Sequence, residues 1–127
     1  MGRGRAGVKQ GEPIFHALPM PSVSLAYYPF QTYNEPVEIE YDDHKDRINR
    51  RKHGIGLAVA RILLSGAHLE ERDERFQYGE ERYVATGAVG SLVLVCAYTM
   101  RGETYRIISV RQATRGESGV YYQAFGS

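Results

Sequence analysis

Four short stretches hold most of the side chains that could do chemistry: "RRKHG" at 50–54, "GEERY" at 79–83, "TMRGE" at 99–103 and "SVRQA" at 109–113. Each sets a cation, some with a carboxylate beside it, at the end of an expected element. A guanidinium holds two phosphate oxygens in its planar fork, and a histidine or lysine moves a proton. Metal-free cleavage of RNA needs those parts. A base takes the proton of the ribose 2′-hydroxyl, the alkoxide attacks the adjacent phosphorus, cations stabilise the phosphorane, and an acid protonates the departing 5′-oxygen.

Arg111 closes the β-branched run "TYRIISVR". Period-two alternation places it with Tyr105, Ile107 and Ser109, and places Arg106, Ile108 and Val110 on the other face. Arg101 lies just past the end of the hairpin partner. The two arginines are expected to converge, across an open sheet surface, on one anionic centre. His53 is a proton-transfer candidate because its ordinary pKa lies near neutrality, with Lys52 beside it as a phosphate contact. Glu81 and Arg82 read as an acid or base with its partner, or as a cross-strand ion pair. Tyr83 is a core residue or a platform on which a base stacks. Arg111 has its own plainer role, a salt bridge to Glu81 or Glu117, and His53 the plainer role of capping carbonyls before Gly54.

Other chemistries lack their residues. His16, His44, His53 and His68 have no ligand-pair spacing, so no metal centre is expected. No GxGxxG, Walker loop or GxSxG elbow occurs, so no cofactor is expected. A formal net charge of +1 excludes nucleic-acid binding through bulk charge, and any anion must be met locally. The single cysteine, Cys96, has no intrachain partner and lies in an apolar run, which fits a reducing compartment. The longest apolar run, "LVLVCAY", is strand-sized, so the expectation is a cytoplasmic protein with no membrane partner.

The elements that must position these residues follow from pattern. Residues 1–36 hold all five prolines and no apolar period, and read as a disordered extension; 37–127 form the domain. "VEIEYDD" alternates as one strand. Asp42 and Asp43 begin a charged helix that Gly54 stops and that offers Ile48 to a core. "LAVARILLSG" is an apolar helix, "LEERDERFQYGEE" a charged connection, and "RYVATG", "SLVLVCAYTM" and "TYRIISVR" are strands. Gly102 supplies a tight hairpin, and Gly87 and Gly90 bracket another connection. Thr114 with Glu117 forms a capping box for a C-terminal helix. The sum is an α+β fold: an antiparallel sheet of three to four strands, packed on one face by two N-terminal helices and a C-terminal helix.

Three stretches, "YDDHKDRINRRKHGI", "ERDERFQYGEERYVATG" and "LVLVCAYTMRGETYRIISVRQATRGES", in this order and spacing, resemble the BrnT toxin family of bacterial type II toxin-antitoxin systems. The most specific parts are Asn49 with Lys52-His53-Gly54, the Gly79 to Tyr83 box, and Arg106 to Ser109 followed by Arg111 and Ala113. The resemblance spans 38–122 and omits the extension. It implies a RelE-like ribonuclease fold, cleavage of RNA that halts translation, and neutralisation by a BrnA-type antitoxin. Such an antitoxin is a ribbon-helix-helix DNA-binding protein, so operator DNA is reached only through it. This chain departs from the family in having Tyr41 where a tryptophan is usual and "GLAVA" where the second helix usually starts with acids. From a different class, a non-catalytic RNA- or protein-binding module also fits the basic clusters.

Overall fold

The computed structural model describes residues 25–28, 37–74 and 79–126. A six-stranded sheet has the order β1-β3-β4-β5-β6-β2. Its strands are β1 (Leu25–Tyr28), β2 (Ile39–Glu40), β3 (His68–Arg72), β4 (Tyr83–Val89), β5 (Leu92–Arg101) and β6 (Thr104–Gln112). All neighbours are antiparallel except β2, which runs parallel to β6. The sheet is therefore mixed and wider than the three to four strands expected. The added strands are β1 and β3, the latter running from His68 into the segment read as a charged connection. Most of the 1–36 extension lies outside the described residues, and within it β1 pairs with β3 from Leu25↔Glu71 to Tyr28↔His68.

Helix α1 (Asp43–His53) forms where its caps dictate. The Asp42 side chain accepts from the His44 N–H at 3.2 Å, and Gly54 takes the left-handed φ of 73° that ends the helix. Its buried residue is the polar Asn49, whereas Ile48 is exposed. The expected apolar helix is split into a 3₁₀ turn at Leu57–Val59 and the short α2 (Ala60–Ser65). Asp46 of α1 substitutes for a cap there, accepting the Leu57 N–H at 2.7 Å. That bond, then the one to Arg50, holds its carboxyl below the usual range.

Leu57, Ala60, Leu63 and Leu64 bury themselves on Ala85, Leu94, Cys96, Tyr98, Ile107 and Val110 as the main core. This explains Gly87, which lies within β4 and not in a turn: a Cβ there would meet His68 Cβ at 3.0 Å and Leu63 Cγ at 3.2 Å. Gly90, with φ 63°, supplies the β4–β5 turn alone.

Helix α3 (Arg115–Phe125) carries the expected capping box of Thr114 and Glu117. It packs on the opposite side of the sheet. Its Tyr121 hydroxyl meets the backbone of Ala88, and Leu69, Val93, Val95, Tyr121 and Ala124 are buried outside the main core. The helices are thus divided between two faces, because Val93 and Val95 are as apolar as Leu94 and Cys96 and both sets need cover. No helix among the described residues is long and apolar enough to cross a membrane.

Candidate functional site

Strand β6 does not alternate as its sequence suggests. Ala97 pairs with Ser109 but Tyr98 pairs with Ile107, so Ile108 is an extra residue in a bulge. Before the bulge Tyr105 and Ile107 face α1 and α2, and after it Val110 does. Arg106, Ser109 and Arg111 consequently share the opposite face. The expected grouping of Arg111 with Tyr105 fails for this reason, and Arg106 joins the site side.

The face bearing Arg106 and Arg111 gathers cations in cross-strand order. Arg106 pairs with Thr99, and the β4 register, Tyr83↔Tyr98, sets Arg82 on Thr99's other flank. Arg101 follows two residues on, with the parity of Thr99. Three arginines therefore surround one buried threonine. Arg106 Nη1 lies 3.3 Å from Glu40 Oε2, and Arg101 Nη2 lies 3.8 Å from Glu80 Oε1. Both contacts are partly exposed, and such pairs contribute little on their own.

Arg111 stands apart from this group. It pairs with Val95 while Arg101 pairs with Thr104. At about 3.3 Å per strand residue, their backbones lie about 20 Å apart. The expected convergence of Arg101 and Arg111 on one point does not occur. Arg111 Nη1 and Nη2 instead donate to the two Glu117 carboxylate oxygens at 2.8 and 2.9 Å. The Arg111 guanidinium, with the Thr114 N–H adding a smaller effect, pulls the Glu117 carboxyl down to about 2.

Lys52 and His53 are exposed at the end of α1. That end is hung on β6. Asn49 Nδ2 donates to Ile55 O and to Val110 O, each at 2.8 Å, and Asn49 Oδ1 accepts the Val110 N–H at 3.1 Å. These bonds fix Asn49, one turn before Lys52 and His53, at the β6 edge beside Val110. Ser109 sits between the Arg106 and Arg111 rows.

Glu81 and Tyr83 belong to the other face. The Tyr83 hydroxyl donates to Glu81 Oε1 at 2.6 Å, and Arg72 Nη2 lies 2.9 Å from Glu81 Oε2. Glu81 thus pairs with Arg72 and not with Arg82. The Glu81 hydrogen bond, then burial, pushes the Tyr83 phenol up to about 12. Tyr83 stacks on Tyr98 at 5.6 Å, and Tyr98 meets Tyr105 edge-on at 5.0 Å. The Tyr98 hydroxyl is buried and, among the described residues, has no hydrogen-bond partner.

The eight residues picked from sequence are thus distributed among three places. Arg82, Arg101, Ser109 and Arg111 line one sheet face, Lys52 and His53 lie exposed at the end of α1, and Glu81 and Tyr83 lie across the sheet. Sequence alternation missed Arg106, because nothing in "RIIS" marks the bulge.

One sheet face thus carries several guanidinium groups. Residues 41–117, more than half the chain, match the family described as the ribonuclease toxin BrnT of type II toxin-antitoxin systems. No curated protein matches the chain. A toxin of this kind has an antitoxin as its partner, and its described activity is that of a ribonuclease. This chain belongs to the BrnT family of ribonuclease toxins.

Proposed function

We propose that the chain is a metal-independent endoribonuclease that inhibits translation in the cytoplasm and is neutralised by a BrnA-type antitoxin of ribbon-helix-helix type. The observation that supports this most is the trio of Arg82, Arg101 and Arg106 around Thr99 on a sheet face that α3 leaves partly exposed. RNA phosphates lie along β5 and β6 on this face, from the hairpin turn toward Ser109 and Arg111. At the Arg111 end, His53 and Lys52 reach the 2′-hydroxyl and the leaving 5′-oxygen. One of them takes the proton as the alkoxide attacks phosphorus, and proton return to the 5′-oxygen completes a 2′,3′-cyclic phosphate. Arginine charge stabilises the phosphorane through preorganised donors. Glu81 and Tyr83, across the sheet, serve the aromatic row and not this step.

The experiment is incubation of purified protein with end-labelled RNA in EDTA. Cleavage leaving 2′,3′-cyclic phosphate ends is the expected result. A second reading, a non-catalytic RNA-binding module, draws on the separation of Arg101 from Arg111. It expects salt-dependent binding with the RNA left intact.

A further inference from the structure

We propose that Glu117 is a built-in occupant of a phosphate seat at Arg111, so that the free chain holds this part of its RNA face closed and RNA must displace the carboxylate to use it. The inference rests on the arginine face binding RNA, and it adds a regulatory contact to that face.

A carboxylate held by both terminal nitrogens of a guanidinium presents two oxygens much as a phosphate does. Arg111 and Glu117 have that arrangement, at 2.8 and 2.9 Å. The pair is not sealed in the core. The Arg111 side chain is 38% exposed and that of Glu117 35%, so an incoming anion can reach the guanidinium. Arg111 also lies on the same face as Ser109 and Arg106, in line with the proposed path of the RNA.

Glu117 sits at the start of a helix whose cap does not depend on it alone. Glu117 Oε1 accepts the Thr114 N–H at 2.8 Å, while Thr114 Oγ1 accepts the Glu117 N–H at 3.2 Å. Swinging the carboxylate away from Arg111 forfeits one bidentate contact and leaves the Thr114 half of the capping box in place. A phosphate on Arg111 would replace the lost contact, and the freed Glu117 could remain at the helix N-terminus, where negative charge is favoured. This local exchange requires no rearrangement of the sheet.

The test compares binding of a short fluorescent single-stranded RNA, as a function of salt, for the full chain and four variants. Glu117→Gln keeps an acceptor for the Thr114 N–H but loses the charge that holds Arg111. It is expected to bind several-fold more tightly, because no carboxylate has to be displaced, with the salt slope of the wild type, since the Arg111–phosphate contact forms in both complexes. Asp43→Asn removes the same charge from the exposed first turn of α1, away from the proposed path of the RNA, and is expected to leave the affinity unchanged. Thr114→Ala weakens the helix cap alone and is also expected to leave it unchanged.

An unchanged affinity in Glu117→Gln, or the same gain in Thr114→Ala, overturns the proposal. Arg106→Ala separates the two levels of the argument. If it leaves RNA binding intact, the arginine face itself is wrong; if it weakens binding while Glu117→Gln has no effect, only the closed seat is wrong. Should Glu117→Gln fail to fold, the wild-type chain supplies the readout through the Glu117 side-chain carboxyl carbon in an NMR titration. Added RNA is expected to shift that signal, and a stationary signal at saturating RNA overturns the proposal.

Discussion

Asn49 pairs with Val110 as a neighbouring strand would, its side-chain amide donating to the Val110 carbonyl at 2.8 Å and accepting the Val110 N–H at 3.1 Å. Strand β2 covers only the early part of β6, at Tyr105 and Arg106. One side chain of α1 thus extends the ladder beyond it and seals a buried stretch of sheet edge.

Loss of that amide leaves both Val110 groups buried and unpaired. Asn49→Ala is expected to lower stability by about 2–4 kcal/mol, since each unsatisfied buried group costs about 1–3 kcal/mol. Urea denaturation checks this, and a loss under about 0.5 kcal/mol would show that α1 is held by other contacts.

The Tyr98 hydroxyl presents the opposite case. It is buried, and no partner for it occurs among the described residues, while its ring stacks on Tyr83 and meets Tyr105. Tyr98→Phe keeps the ring and removes the unsatisfied group. Thermal unfolding is expected to give a midpoint equal to or above that of the wild type; a clear drop would mean that the hydroxyl has a bonded partner in solution.

His68 gives the fold a defined pH response. Burial lowers its pKa from 6.5 to about 4, opposed by its hydrogen bond with Gly66 O. Between those values the unfolded chain binds a proton that the folded chain refuses. Stability therefore declines as pH falls from 6.5 and stops responding to this group below about 4. Glu117 acts in a lower window, its stabilisation being lost as pH falls from 4.5 through about 2. Denaturation between pH 7 and 4 is expected to show the first decline, and His68→Gln is expected to flatten it.

Much of this architecture is legible in the residues. Asp42 and Gly54 bound α1, Thr114 and Glu117 cap α3, and Gly102 turns the β5–β6 hairpin at φ 64°. Local chemistry fixes each of these. Strand β3 escaped because "HLEER" has one aliphatic residue and takes its strand conformation from pairing with β4 on one side and β1 on the other. The side on which α3 packs is decided by Val93 and Val95, which in a continuous apolar run cannot be told from their neighbours. At the proposed site the arginines are legible as residues, and their grouping is not. The Ile108 bulge, which exists only in the pairing with β5, then chose which arginines share a face.

Cleavage by Arg82→Ala and Arg106→Ala, measured beside wild type under single-turnover conditions with end-labelled RNA in EDTA, tests the central claim most directly. Wild type is expected to leave 2′,3′-cyclic phosphate ends, and each variant to lose at least tenfold in rate at subsaturating RNA, about 1.4 kcal/mol relative to free chain and RNA. Near-wild-type cleavage by both variants, each shown to be folded, would contradict that claim.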